Sequence, residues 1–208
     1  MEPFVSTAPA GGVLLLVAHP HLAGSRVNRA LCEAARAVAG VTVHDLASAG
    51  AGGRFDVPAE QALLADHASL AFLHPLYWFA APALLKAWQD EVLTAGFAHG
   101  PGGTALAGRT AIVAVTAGGR EQEFSPAGRH GVTLAALLAP FERTLAYCGV
   151  RLLPPFAVFG GSKITDEELD DAAAAFGLLL ARLRDGAAAA PPGANRGHIV
   201  PADLLAAD

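Results

Sequence analysis

From Val13 onward, short runs of apolar residues alternate with apolar positions spaced for one helical face. Val13-Leu14-Leu15-Leu16-Val17-Ala18 has no polar position, which predicts a strand covered on both sides, as in a parallel sheet. A loop over 19–24 follows, and Ser25 then caps a helix whose stripe is Val27, Leu31, Ala34, Ala35 and Val38. Residues 41–46 predict a second strand with a Gly/Ala-rich loop behind it, 58–66 a short helix, and 69–74 a third strand. Pro82 suits the first position of the next helix, which buries Leu84, Leu85, Trp88 and Val92. A glycine-rich loop over 96–108 leads into a fourth strand at 110–116. Leu134, Leu137, Leu138, Phe141, Leu145 and Cys148 then form another helical stripe. A fifth strand lies within 151–159. The last helix opens on a capping box, Thr165 with Glu168, and a staple of Ile164 on Leu169, and it fades near Arg184.

Five strands alternating with helices specify an α/β fold, a doubly wound five-stranded parallel sheet with helices on both faces. One domain over 13–184 is expected. A flexible tail over 1–12 precedes it, and an Ala/Pro/Gly-rich extension over 185–208 follows, whose 199–205 part either docks or stays mobile. No internal repeat is visible. Apolar residues make up 53% of the chain, yet no run reaches the length of a membrane span, and no basic segment precedes the first apolar run. A cytoplasmic protein is therefore expected. The net charge of −5, with two lysines, excludes nucleic acid as the main partner. Cys32 and Cys148 fall on apolar helical patterns and read as buried, unpaired thiols.

In such sheets ligands gather at the carboxyl ends of the strands, so the loops after strands one, three and four are where chemistry is expected. The first, His19-Pro20-His21-Leu22-Ala23-Gly24-Ser25-Arg26-Val27-Asn28, leads into a helix N-terminus, whose free N–H groups and dipole suit a phosphate. It lacks the G-x-G-x-x-G and P-loop patterns. His19 and His21 have no further ligands at metal spacing, so no metal site is predicted. The second loop is His74-Pro75-Leu76-Tyr77-Trp78-Phe79-Ala80-Ala81-Pro82. Side chains on a strand alternate, so three consecutive aromatics cannot all face one core, and some must line a cleft fit for a flat heteroaromatic ligand. The third, Thr116-Ala117-Gly118-Gly119-Arg120, has adjacent glycines that permit either close ligand approach or a tight turn.

These residues carry a resemblance to the flavodoxin-like NAD(P)H:quinone oxidoreductases, and most closely to the ancillary flavoproteins of glutathione-gated Kef-type potassium efflux systems. It covers about 13–184. It rests on Ala18-His19-Pro20 with Ser25 and Asn28, on His74-Pro75-Leu76-x-Trp78-Phe79-x-x-Pro82-x-Leu84-Leu85-Lys86-x-Trp88, on Gly100-x-Gly102-Gly103-Thr104-Ala105-Leu106, on Thr116-x-Gly118-Gly119, and on Cys148-Gly149 with Leu153-Pro154-Pro155-Phe156. The resemblance implies a homodimer with two interfacial flavin sites. His19, Ser25, Val27 and Asn28 would hold the flavin phosphate and ribityl chain. Pro75, Leu76, Tyr77, Trp78 and Phe79 would wrap the isoalloxazine, and Thr116, Gly118 and Gly119 its pyrimidine edge. The 96–108 loop would approach the partner's site. FMN is preferred to FAD on the strength of the resemblance, and NAD(P)H is the co-substrate.

The substrate pocket so implied comprises Trp78, Phe124, His130 and Phe156. Two departures stand out. The first loop is about two residues longer than in the animal quinone reductases. Those enzymes also carry a tyrosine and, six residues later, a histidine, where this chain has Phe124 and His130. His130 is thus the expected catalytic group, because an imidazole titrates near neutral pH. The expected activity is hydride transfer from NAD(P)H to a quinone-like acceptor. Alternatives are a flavin-binding regulatory subunit of a potassium efflux transporter, peripheral at the inner membrane face, and a one-electron flavodoxin-type carrier.

Overall fold

Val13–Val17 forms β1, and all five of its side chains are buried, as a run without a polar position requires. The computed structural model describes residues 11–186 and 197–205. The tail expected over 1–12, apart from its last two residues, and most of the Ala/Pro/Gly-rich stretch lie outside the described residues. After β1 come α1 (Arg26–Arg36), β2 (Val41–Asp45), α2 (Leu46–Ala49), α3 (Val57–Ala65) and β3 (Ser69–Pro75). Then follow α4 (Ala83–Val92), β4 (Thr110–Thr116), α5 (Leu134–Tyr147), β5 (Arg151–Leu152), β6 (Phe156–Val158), α6 (Asp166–Arg184) and α7 (Pro201–Leu205). The strand order is β2-β1-β3-β4-β5, with β6 also paired to β4, and every pairing is parallel.

The sheet separates two cores. Leu14, Leu16, Leu70, Phe72 and Val113 face Trp88 of α4 and Phe141 of α5. Leu15, Val17, Leu73 and Ile112 face Leu31 and Cys32 of α1 and Phe176 and Leu180 of α6. Each leucine fully withdrawn from water contributes about 2 kcal/mol, and the period-two alternation of the strands serves both cores at once. Both cysteines are free and buried, and burial raises their pKa values.

The helix ends follow local chemistry. Ser25 Oγ accepts from the Asn28 N–H at 3.3 Å to cap α1, and Asp56 caps α3. Thr165 and Glu168 exchange the capping-box bonds of α6, with Ile164 buried and Leu169 packed against the same core. Pro82 proves to be the N-cap of α4 rather than its first residue, and Leu84 is only partly buried. Where a Gly/Ala-rich loop was expected after β2, Asp45 caps α2 by accepting from the Ala47 N–H at 3.0 Å, and Leu46 is buried. Pro140 sits inside α5 on an exposed turn.

The expected fifth strand is two. β5 pairs with β4 from Thr110↔Arg151, and β6 pairs from Ala114↔Phe156, so Leu153, Pro154 and Pro155 stand against only Ile112 and Val113. Two successive prolines offer no N–H to the ladder, and the extra residue makes a bulge. The segment after residue 196 docks: the Ala157 N–H donates to the Ile199 carbonyl at 2.8 Å, and the Ile199 N–H donates to the Pro155 carbonyl at 2.8 Å. Ile199 and Leu204 are buried.

Candidate functional site

The ends of β3 and β4 are level, with Pro75 opposite Thr116, and β1 ends two residues short of them, with Val17 opposite Leu73. Their following loops therefore meet at one edge, at the point where the strand order reverses. A cleft of about 410 Å³ opens there. Of the residues expected to bind a cofactor, His19, Ser25, Val27, Asn28, Pro75, Leu76, Tyr77, Thr116 and Gly118 line it. The sequence reading missed Gly161 of the β6–α6 loop, whose added Cβ would lie 3.3 Å from Val27 Cγ2. The signal was available, because Gly160-Gly161 after the last strand matches Gly118-Gly119 after β4.

The polar wall of the cleft is built by α1. Asn28 is buried, and its Nδ2 donates to Ser25 Oγ at 3.1 Å and to Thr116 Oγ1 at 2.9 Å. Its Oδ1 is buried and has no donor among the described residues. Such an oxygen forfeits roughly 1–3 kcal/mol unless a ligand or water donates to it. Ser25 Oγ receives both Asn28 N–H groups, so its own proton is free to face the cleft. The first-turn N–H groups of Arg26 and Val27 have no intrahelical acceptor. Arg26 also lines the cleft, but its guanidinium is tied to the Ile164 carbonyl and Asp166, which moors α1 to α6. His19 is buried, and its Nδ1 accepts from the His21 N–H at 3.0 Å, leaving the proton on Nε2, 3.4 Å from Tyr77 Oη. Burial first, and the charge of His21 second, lower its pKa against the pull of Asp45.

Trp78 and Phe79 lie outside the cleft lining, at the tip of a two-residue turn. Tyr77 and Ala80 close it with mutual backbone bonds of 2.9 and 3.0 Å, and Trp78 (φ 48°) and Phe79 (φ 64°) are both left-handed. Trp78 is 94% exposed. Phe79 leads from the turn to His130, with ring centroids 5.2 Å apart, and His130 lies 4.8 Å from Phe124. Gly119 joins this group, since a Cβ there would meet Glu123, Phe124 and His130 at 2.7, 3.1 and 3.2 Å. Four of the expected residues (Phe79, Gly119, Phe124 and His130) thus gather beside the cleft.

Phe156 does not join them. It is fully buried in β6 against Phe176, 5.5 Å between centroids, and does not line the cleft. The bulge ahead of β6 sets which face of the sheet it takes, and Phe159, 5.5 Å from Phe124, occupies the position expected of it. Among the described residues no group of three or more His, Cys, Asp or Glu is placed to hold a metal ion. Beneath the cleft, His74 of β3 is wholly buried. Its Nδ1 donates to the Pro75 carbonyl at 3.0 Å, its Nε2 has no partner among the described residues, and burial lowers its pKa to about 4.

A parallel doubly wound sheet with a polar helix-N-terminal cleft at its switch point defines the class of open α/β proteins whose sites lie at the carboxyl edge of the sheet. Residues 12–180 match the family model described as flavodoxin-like fold, and the chain belongs to that family. It is 40% identical over 169 residues, 81% of this chain and 92% of the relative, to the glutathione-regulated potassium-efflux system ancillary protein KefG of Pectobacterium carotovorum subsp. carotovorum (strain PC1). Among solved structures it resembles general stress protein 14 of Treponema denticola in complex with FMN, with a TM-score of 0.79 and 38% identity over 83% of this chain and 99% of that one. It also resembles an NADPH-quinone reductase from P. pentosaceus, with a TM-score of 0.72 and 31% identity over 83% of this chain and 97% of that one.

Proposed function

We propose that this protein is an FMN-dependent oxidoreductase that carries reducing equivalents from NAD(P)H to a quinone-like acceptor. The observation that carries the reading is a cleft walled by a helix N-terminus, whose lining residue Asn28 keeps a buried Oδ1 without a donor among the described residues, beside a strained and exposed aromatic turn. When bound, the flavin supplies the two-electron chemistry between nicotinamide and quinone. Ser25 and the Arg26 and Val27 N–H groups suit its phosphate, and Asn28 Oδ1 suits a ribityl hydroxyl. Leu76, Tyr77, Trp78 and Phe79 offer apolar surface to the ring, and Thr116, Gly118 and Gly119 a close backbone edge. His130 would donate a hydrogen bond to an acceptor oxygen, a role supported by its position between Phe79 and Phe124. The likeness to the FMN complex and to the quinone reductase supports the cofactor and the acceptor class.

The likeness to KefG supports a second role that can coexist with the first, association with a potassium efflux transporter at the cytoplasmic face of a membrane. Among the described residues no helix is long and apolar enough to cross a membrane.

The test is purification followed by flavin analysis and NAD(P)H oxidation with a menadione-type quinone. The protein is expected to be yellow and to release FMN on denaturation. Ser25→Ala with Asn28→Ala is expected to weaken FMN binding by about 2–4 kcal/mol, two hydrogen bonds' worth. A colourless protein that neither FMN nor FAD reconstitutes overturns the reading.

A further inference from the structure

The family match ends at residue 180, and a strap of this chain, Gly197–Leu205, lies beyond it. The strap is anchored on β6 by the paired backbone bonds of Ile199 and on the core by Leu204. Asp203 accepts from the Val200 N–H at 2.9 Å, which fixes the start of α7. One residue of the strap reaches back toward the acceptor side. His198 donates from Nε2 to Glu121 Oε1 at 3.0 Å and sets its ring edge-on to Phe159, 5.3 Å between centroids. Its side chain is largely buried, 13% exposed.

Glu121 and Phe159 both support the loop that carries Phe124 and His130, beside the Phe79 ring against His130 and the Gly160 N–H that donates to the Gly119 carbonyl. Glu121 opens its 3-10 turn, Glu121–Glu123, and the Glu123 carbonyl accepts from the His130 N–H at 3.1 Å. Phe159 backs Phe124, which backs His130. Elsewhere the strap and this loop part around a cavity of about 570 Å³, lined by Arg120, Glu121, Phe159, Val200 and Leu205 among others. His198 therefore bridges strap and loop beside that cavity instead of joining a continuous packed face.

The geometry points to His198 as a positioning residue for the acceptor side of the site: the strap, through His198, holds Glu121 and Phe159 and so fixes where His130 and Phe124 stand. The inference rests on the acceptor-side role proposed for His130. It concerns placement only, because the hydrogen bond and the ring contact of His198 go to Glu121 and Phe159, neither of which lines the phosphate cleft. A strap of this kind narrows the acceptors that fit against His130 while leaving cofactor retention unchanged.

The test compares the full-length wild type with His198→Ala and His198→Gln, whose amide N–H can still reach Glu121. Hydrogen exchange is read over 119–131, and KM, kcat and FMN affinity are read with menadione. His198→Ala is expected to speed exchange across that loop. It is also expected to raise KM roughly fivefold, the size of one hydrogen bond, with FMN affinity unchanged. His198→Gln is expected to restore both. Unchanged loop exchange in His198→Ala overturns the inference, as does a glutamine variant no better than alanine or a loss of FMN affinity in step with KM. If the wild type turns over no quinone, the acceptor reading fails separately, and the exchange comparison alone decides whether the strap holds the loop.

Discussion

His74 is a buried base with half of its hydrogen-bonding capacity unused. In the unfolded chain it titrates near 6.5, and in the fold burial pushes this to about 4. Between those values the unfolded state binds more protons, so the stability this neutral histidine permits is full above about 6.5 and is lost as the pH falls toward 4. The shift corresponds to about 3 kcal/mol. Urea unfolding is therefore expected to give a much lower midpoint near pH 4.5 than near pH 7. His74→Leu is expected to remove most of that difference, since no partner of Nε2 is lost. A pH dependence identical in His74→Leu and wild type would show that other groups carry it. Burial lowers the His19 pKa with the same sign, and His19 keeps its Nδ1 free to accept only while neutral. Acid is thus expected to weaken the cleft as well as the sheet, since protonated His19 can no longer accept from the His21 N–H.

At the scale of elements, the Tyr77–Ala80 turn works against local preference. A two-residue hairpin with both central φ values positive favours Asn-Gly, yet Trp78 and Phe79 hold those positions. A left-handed conformation costs a bulky L-residue roughly 1–2 kcal/mol, and Trp78, at 94% exposure, recovers little by burial. Strain of this kind persists where an aromatic surface is wanted for binding. Trp78→Asn with Phe79→Gly is therefore expected to raise the stability of the cofactor-free protein by about 1 kcal/mol, while FMN affinity and quinone turnover fall. Thermal unfolding beside a flavin titration checks both. A destabilised double variant would mean the aromatics are structural.

At the scale of the molecule, an exposed aromatic edge invites a partner. Tyr77, Trp78 and Phe79 are exposed together next to the cleft, a surface that monomers seldom leave open. A homodimer that covers this edge is expected, with each site completed by the other copy. Trp78 and Trp88 are the chain's two tryptophans, and Trp88 is buried with its Nε1 donating to Glu60 at 2.9 Å, a constant internal reference. Sedimentation at micromolar concentration is expected to show a dimer whose Trp78 emission resists acrylamide and becomes quenchable on dilution to the monomer. A fully active monomer with quenchable Trp78 at that concentration would refute it.

Much of this molecule is decided within four residues of chain. The caps at Ser25 and Thr165, the buried run of β1 and most of the stripes of α1 and α5 depend on neighbours in sequence, so pattern alone places them, although Val38 of the expected α1 stripe falls beyond the helix end at Arg36. The convergence of the three loops follows as well, because in a parallel sheet the carboxyl ends of all strands lie at one edge. What tertiary structure decided depends on counting across the sheet. Three residues stand against two at Leu153–Pro155, and this splits the last strand and turns Phe156 into the core, leaving Phe159 beside Phe124. The pairing of Ile199 with β6 is equally remote in sequence, and so is the contact of His198 with Glu121. The unpaired Asn28 oxygen is also a product of folding. A sequence names the amide, but only the packed chain spends both side-chain N–H groups on Ser25 and Thr116 and buries the oxygen, at a residue of the cleft wall, without a donor among the described residues.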